Sequence, residues 1–237
     1  MRNDIYLSPN HIGLFIISMV SSADILVEAL RATIQFVLVA HAMPAICVYA
    51  YSTFTARTDV FTCRSRLQRY IFDEGNTLPF DTSDRNILIH NGPIVIKEDG
   101  QWKLVSFMPT SSIRFEKWGE KSVKEWGLRM IVGKTTMGEQ TAAAMKEMGC
   151  VHVSPRSVSP NLWIDSIKVE DVYLFDELGS IEAAWFFSIN ELGPFIVDID
   201  SEGNNYFDRL DESIAENKKI ALEKLGIDHS FNFTKLY

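Results

Sequence analysis

The chain has 237 residues, of which 46% are hydrophobic and 23% charged, and its formal net charge at neutral pH is −8. This composition indicates a folded globular protein with a sizeable core and excludes an intrinsically disordered chain. The negative charge argues against nucleic acid as the main partner, because phosphate backbones are bound by basic faces. The three cysteines, Cys47, Cys63 and Cys150, follow no zinc or ferredoxin spacing. We therefore expect free, buried thiols and a reducing, cytoplasmic compartment.

Residues 1–52 differ from the rest and are predicted to form an apolar, helical N-terminal extension of a domain that spans residues 53–237. Between 32 and 51 the chain carries no formally charged side chain, which approaches the ~20 residues that span a bilayer. Pro44 interrupts this run, so the pattern favours a buried helix pair or a partner-binding extension over a membrane segment. A cleaved signal peptide is not expected, because the first apolar run, residues 12–20, is short.

Beyond residue 53, helical and strand periodicities alternate, which predicts an α/β domain. Helices are predicted from apolar spacing and capping residues over 66–74, 115–126, 141–148 and 210–225, the last of them solvent-exposed. Strands are predicted from short apolar runs over 86–90, 94–97, 102–108, 128–132, 151–153, 167–175, 183–189 and 195–199. Asp99 and Gly100 separate two of these strands and predict a tight hairpin turn.

A glycine turn at Gly133-Lys134-Thr135 ends like a phosphate-binding P-loop. The P-loop pattern G-x-x-x-x-G-K-[ST] requires a glycine at position 128, where this chain has Leu128, so a nucleotide loop is rejected. What remains is a strand, a glycine turn, a lysine and the start of a helix, an arrangement that suits a carboxylate or another small anion. The alternative is a solvated surface lysine.

A hydroxyl-rich turn, Thr110-Ser111-Ser112, precedes Arg114. Ser111 or Ser112 would be an ordinary cap for the helix predicted to start at residue 115. Arg114 is harder to explain as a capping residue, and its guanidinium offers a bidentate fork for a carboxylate.

Two histidines, His90 and His152, each fall within an apolar predicted strand. For both we expect a hydrogen-bonded core or edge histidine rather than a metal ligand, since neither has a partner at metal-ligand spacing. The sequence shows no nucleophile elbow and no Ser–His–Asp triad.

Several separated motifs occur in an order typical of one enzyme family. They are Asn91-Gly92-Pro93, Pro109-Thr110-Ser111-Ser112-Ile113-Arg114, Val132-Gly133-Lys134-Thr135, Glu177-Leu178-Gly179 and Leu192-Gly193-Pro194. Over residues 58–220 the chain therefore resembles the β subunit of L(+)-tartrate dehydratase and, equally, the C-terminal domain of class I fumarate hydratases.

The resemblance implies a swivelling β/β/α domain and the reversible addition or removal of water on a small dicarboxylate. It implies that Thr110, through proton abstraction, and Lys134 are catalytic, and that Arg64, Arg114 and Ser111 bind substrate. It also implies a [4Fe-4S] cluster held by a companion α subunit and not by this chain, so the active site would close where the two subunits meet. No metal ligand is expected on this chain.

The chain departs from the family pattern at the first arginine motif. Thr55-Ala56-Arg57 and Thr62-Cys63-Arg64 both fit its start, and spacing favours Arg64. Ser65 and Gln68 then replace the aspartate and histidine of the family. These departures favour an alternative function, a non-catalytic dicarboxylate-binding or regulatory module of the same fold. The retention of Thr110, Arg114 and Lys134 favours the enzyme subunit.

Overall fold

The computed structural model describes residues 51–54, 58–83, 85–156, 159–190 and 192–228. The predictions for the N-terminal extension before residue 51, for Cys47 and for the alternative motif at 55–57 lie outside these residues. No helix within the described ranges is long and apolar enough to cross a membrane.

The described residues form ten strands, which make up one eight-stranded sheet and a separate hairpin. In chain order they are β1 (Tyr51–Phe54), β2 (Thr58–Cys63), β3 (Ile87–His90), β4 (Ile94–Glu98), β5 (Gln101–Ser106), β6 (Met130–Val132), β7 (Val151–Pro155), β8 (Ile167–Tyr173), β9 (Ala184–Ile189) and β10 (Leu192–Ile199). The sheet order is β1-β10-β7-β6-β3-β2-β9-β8, and β4 pairs with β5. Strands β2, β3, β6 and β7 are parallel neighbours, and the outer pairs are antiparallel.

Helices connect the parallel strands, which confirms the predicted α/β class. They are α1 (Ser65–Gln68, continued by a π-helical turn over Arg69–Asp73), α2 (Glu116–Glu125, preceded by a 3-10 turn over Ser112–Phe115) and α3 (Glu139–Met148), whereas α4 (Phe175–Leu178) lies between the antiparallel strands β8 and β9, and α5 (Tyr206–Lys224) follows β10. None of the residues of α5 is buried, as expected. It begins four residues earlier than predicted, because Asn205 accepts a hydrogen bond from the Phe207 N–H at 3.0 Å and caps the helix there.

Two apolar clusters cover the two faces of the sheet. Successive residues of a strand point to opposite faces, so Ile89 joins one cluster and Leu88 the other, and the same holds for Phe187 and Phe186 on β9. All four side chains are at most 1% exposed, and burying a side chain of this size stabilises the fold by roughly 1.5–3 kcal/mol. The central strands are therefore fixed firmly enough to present short loops at their ends.

The predicted hairpin turn is confirmed. Asp99 and Gly100 both adopt positive φ, 50° and 80°, as a two-residue hairpin loop with the right twist requires. Gly100 has open space around its Cα, so backbone conformation rather than crowding selects the glycine here.

Strand β2 was not among the predicted strands, because polar residues interrupt its apolar pattern. Thr62 lies in the middle of the sheet and is fully buried. Its Oγ1 accepts a hydrogen bond from the Trp185 N–H at 3.0 Å, so the hydroxyl is satisfied inside the core. A polar residue with such a partner cannot be distinguished from a loop residue by periodicity alone.

Candidate functional site

The parallel strands end at one edge of the sheet, and the predicted site residues follow their last residues. Cys63 of β2 pairs with His90 of β3, and Ile89 with Val132 of β6. The loops that carry Arg64 and Lys134 therefore leave the same edge. In open α/β sheets, ligands bind in the crevice outside the carboxyl ends of the strands.

The hydroxyl turn is inserted between the ends of β3 and β6. The Thr110 N–H donates to the His90 carbonyl at 2.6 Å, and the Lys134 N–H donates to the Thr110 carbonyl at 3.0 Å. The Ser112 N–H donates to the Lys134 carbonyl at 2.7 Å, and Ser111 forms a short parallel bridge with Lys134. Backbone hydrogen bonds thus bring Thr110, Ser111 and Lys134 together, although they are far apart in sequence.

Two of the predicted cations have no counter-charge among the residues that the structure describes. Lys134 is half-buried, and within the described part of the chain its ammonium makes no ion pair and no hydrogen bond. Arg114 is exposed, lies 5.8 Å from the ring centre of its neighbour Phe115, and likewise has no carboxylate partner among the described residues. Desolvating a cation without a partner is costly, so an unpaired half-buried ammonium points to an anionic ligand.

Arg64 is placed differently from the other two cations. Its Nε lies 3.4 Å from a Glu182 carboxylate oxygen, and a Cβ added to Gly92 would come within 2.7 Å of its Nη1. The guanidinium is thus packed against the loop after β3 and is already paired. Because a guanidinium has five N–H donors, Arg64 can still bind a second carboxylate.

Ser65 and Gln68, which follow Arg64 in the sequence, lie on α1. Gln68 is fully buried, and its Nε2 donates to Ser122 Oγ of α2 at 3.1 Å. It therefore ties two helices together, whereas its Oε1, which is also buried, has no hydrogen-bond partner among the described residues.

Asn91 is a polar residue that the sequence analysis did not single out for a role. It directly follows β3, its side chain is 1% exposed, and neither amide atom has a hydrogen-bond partner in the described structure. An unsatisfied buried amide costs about 1–3 kcal/mol, which makes it a candidate for a polar ligand contact.

The loop that carries Lys134 is constrained at both ends. A Cβ on Gly133 would overlap Ser112 Oγ, so only glycine fits there. Thr135 adopts φ 61°, which is strained for a β-branched residue. At the far end, Glu116 of α2 accepts hydrogen bonds from the Gly138 N–H at 2.6 Å and from Thr141 Oγ1 at 2.7 Å, so a carboxylate from the neighbouring helix caps α3.

Beneath the loop lies a buried polar network that the sequence did not reveal. Ser112 Oγ lies 2.8 Å from both His90 Nδ1 and His152 Nε2, and His152 Nδ1 is hydrogen-bonded to Asp198. The prediction of hydrogen-bonded core histidines is confirmed, since both rings are at most 1% exposed. The capping role offered for Ser112 is wrong, because its hydroxyl binds the two imidazoles instead.

The network predicts a pH dependence of folding. Burial, together with His152 and Arg114 nearby, holds the pKa of His90 well below its usual range. The unfolded chain therefore binds a proton near pH 6.5 that the folded chain does not. The contribution of neutral His90 to the free energy of unfolding is therefore complete above about pH 6.5. Below that pH the free energy of unfolding falls by at most ~1.4 kcal/mol per pH unit.

We expect His90→Gln to flatten this dependence. The measurement is the free energy of unfolding in urea, for wild type and variant, across the range from about pH 7.5 down to about pH 5. The charged and titratable groups facing His90 are His152, Arg114 and, through His152, Asp198; all remain in the variant. Identical pH dependence of the two proteins would contradict the assignment.

Among the described residues, the two cysteines are not placed to share an iron–sulfur cluster. Cys63 ends β2 and Cys150 precedes β7, with β3 and β6 between these strands, so at about 4.8 Å per strand the thiols are at least ~14 Å apart. Burial raises the pKa of both thiols, which disfavours the thiolate that binds iron. No group of three histidine, cysteine or carboxylate side chains in the described ranges is arranged to hold a metal.

Comparison with known proteins identifies the family. The sequence model described as "Fumarase C-terminus" matches residues 52–210. The chain is 34% identical over 164 residues to the L(+)-tartrate dehydratase subunit beta of Escherichia coli K12, covering 69% of this chain and 77% of that protein.

Two further relatives carry provisional names. A protein of Methanocaldococcus jannaschii, provisionally named L(+)-tartrate dehydratase subunit beta, is 32% identical over 69% of this chain and 86% of its own length. A protein of Geobacillus stearothermophilus, provisionally named a class I fumarate hydratase, is 32% identical over 66% of this chain and 30% of its own length. With the family match spanning most of the sheet, the chain belongs to the fumarase C-terminus family.

Proposed function

We propose that this chain is the β-type subunit of a hydro-lyase that adds water to, or removes it from, a small dicarboxylate such as malate or tartrate. The names of its relatives support a hydro-lyase subunit. The observation that carries the proposal is the half-buried, unpaired Lys134 held by backbone hydrogen bonds beside Thr110. A dianion needs several converging cations, and this edge of the sheet has Arg64, Arg114 and Lys134 on its loops.

In this proposal the cations bind the two carboxylates. Each charge-assisted contact contributes on the order of 1.5–3 kcal/mol. Ser111, bridged to Lys134, donates a hydrogen bond to the substrate, and the unsatisfied amide of Asn91 provides another polar contact at the same edge.

Thr110 is proposed to move the proton. Elimination of water breaks a C–H bond at one carbon and the C–OH bond at the next: the oxygen of Thr110 accepts the proton, hydroxide leaves, and release of the proton from Thr110 makes water the net product. A threonine hydroxyl is a weak base unless nearby cations stabilise its alkoxide, and Lys134 on the adjacent backbone segment provides such a charge.

A partner subunit completes the proposal. Two of the compared relatives are named as subunit beta, which supports an α partner for this chain. The family resemblance assigns a [4Fe-4S] cluster to that partner, and the two described cysteines, Cys63 and Cys150, are too far apart to share one. Here the chain supplies the cations and the hydroxyl and closes the site from its side.

A non-catalytic dicarboxylate-binding module is the second candidate, favoured by Ser65 and Gln68 where the family resemblance leads us to expect an aspartate and a histidine. A measurement of turnover distinguishes the enzyme subunit from the binding module. The full chain is co-expressed with a candidate α subunit, reconstituted with iron and sulfide without oxygen, and assayed with malate and tartrate by the absorbance of fumarate and oxaloacetate. Turnover supports the enzyme subunit, whereas dicarboxylate binding with no turnover supports the module.

Lys134→Ala is expected to weaken dicarboxylate binding by about 10- to 150-fold, which corresponds to one lost charge-assisted contact. The measurement is titration calorimetry of the full chain with malate or tartrate at low salt. The matched control is Lys168→Ala, since Lys168 is exposed and already paired with Glu170 at 3.0 Å. Equal affinity of wild type and Lys134→Ala would remove Lys134 from the site.

A further inference from the structure

A line of buried polar side chains runs behind the candidate site, from β10 to β3. Asp198 is hydrogen-bonded through one carboxylate oxygen to His152 Nδ1, and His152 Nε2 lies 2.8 Å from Ser112 Oγ. All three side chains are at most 1% exposed. These three side chains are hydrogen-bonded in the same sequence as a Ser–His–Asp catalytic triad. Ser112 is not a nucleophile, however, because it is buried and its hydroxyl also binds His90.

A second branch starts from the other oxygen of Asp198. Ser154 Oγ is hydrogen-bonded to this oxygen and also lies 2.8 Å from the Thr135 carbonyl. Because a hydroxyl has one proton, Ser154 donates to one of these two oxygens at a time. Thr135 directly follows Lys134 and has the strained φ of 61°. Through Ser154, Asp198 is therefore also linked to the backbone immediately after Lys134.

The two branches end on the two backbone segments that form the site. The first ends at Ser112, whose N–H donates to the Lys134 carbonyl and which lies two residues after Thr110. The second ends at Thr135. We propose that Asp198 is a positioning residue, which holds Thr110 and Lys134 in register through His152–Ser112 on one side and Ser154 on the other. The roles of Thr110 and Lys134 in this statement rest on the proposed function.

The hydrogen-bond polarity of the network follows from its donors and acceptors. With the His152 Nδ1–H donated to Asp198, Nε2 is an acceptor and takes the Ser112 hydroxyl proton. Ser112 Oγ in turn accepts from the His90 Nδ1–H. An asparagine at position 198 preserves this pattern, because its Oδ1 accepts from His152 and its Nδ2 donates to Ser154. An alanine preserves neither contact.

Native-state hydrogen exchange on the full chain tests the proposal. The reporting amides are those of Thr110, Ser112 and Lys134, which bridge the two segments, and the reference amides are Leu128 and Cys150, which donate to the Val123 and Met145 carbonyls. We expect Asp198→Ala to speed exchange of the reporting amides at least about tenfold relative to the reference amides, and Asp198→Asn to stay within about threefold of wild type.

Ser112→Ala provides a second test if Asp198→Ala fails to fold. Its matched control is Ser122→Ala, since Ser122 is equally buried and accepts a hydrogen bond from Gln68, which is not part of the network. Ser112→Ala should reproduce the local effect and Ser122→Ala should not. Equal acceleration of reporting and reference amides in Asp198→Ala and Ser112→Ala, the mark of global destabilisation, would overturn the proposal.

Dicarboxylate affinity, measured on the same samples, separates this proposal from the proposed function. The expected result is a loss of about tenfold in Asp198→Ala that Asp198→Asn restores. If wild type binds no dicarboxylate while the local exchange pattern holds, the positioning role stands and the proposed function fails. If wild type binds and both disruptive variants leave the reporting amides protected, the positioning role fails alone.

Discussion

Thr110→Ala is expected to lower turnover by about 10²- to 10⁴-fold in the complex with an α subunit, because the hydroxyl that moves the proton is lost. Dicarboxylate affinity should change little, since the cations remain in place. This separation follows from the geometry: the Thr110 backbone, not its side chain, makes the hydrogen bonds to His90 and Lys134 that hold the site together. The measurement is kcat and KM for malate or tartrate.

Thr110→Ser is the matched variant, because it keeps the hydroxyl and removes one methyl group. It should retain most of the wild-type kcat, and its reaction should depend on pH as that of wild type does. Ordinary turnover in Thr110→Ala would exclude the proton-transfer role. A raised KM with unchanged kcat would show instead that the hydroxyl only binds substrate.

Gly133→Ala is expected to lower the free energy of unfolding by ~3 kcal/mol or more, a fall of roughly 6–12 °C in the midpoint of thermal unfolding. The added methyl group would overlap Ser112 Oγ and lie 3.2 Å from His152 Nε2. Neither side chain can move aside freely, because both are fully buried and hydrogen-bonded to each other.

The comparison variant for Gly133→Ala is Gly119→Ala on α2, where a methyl group would overlap Thr141 Oγ1. Both variants should be destabilised, but only Gly133→Ala should lose dicarboxylate affinity at temperatures where both remain folded. Wild-type stability of Gly133→Ala would show that the loop relaxes and that the close approach of Gly133 to Ser112 is not required.

Local sequence patterns predict much of this architecture. The hairpin turn at Asp99-Gly100 and the end of α3 at Gly149, with φ 65°, depend on glycine conformation. Both can therefore be predicted from the sequence. The loop at Gly133-Lys134 was also readable, because a glycine and a lysine between a strand and a helix are typical of an anion site.

The buried network could not be predicted from the sequence, because the order of the strands in the sheet brings its residues together. Asp198 lies on β10, which pairs with β7 and brings it beside His152. The register shift between Val197 and Ile199 falls at this point of the pairing. No spacing along the chain predicts a contact between two residues, His152 and Asp198, that are 46 positions apart.

The placement of Arg64 also depended on tertiary contacts. The family resemblance implies that Arg64 binds substrate, and the structure adds that it is packed against Gly92 and paired with Glu182. Glu182 additionally accepts a hydrogen bond from the Arg66 N–H at 2.9 Å, so the same carboxylate fixes both the start of α1 and the guanidinium. We therefore expect Arg64 to contribute less to affinity than Lys134, which has no such partner.

The central claim is that the carboxyl edge of the parallel strands holds a dicarboxylate between Lys134 and Thr110. The most direct measurement is a crystal structure of the full chain with its α partner and a bound dicarboxylate. The account predicts a carboxylate oxygen about 3 Å from Lys134 Nζ, with the carbon that loses its proton facing Thr110 Oγ1. A dicarboxylate bound at another edge of the sheet, with Lys134 still unpaired, would contradict it.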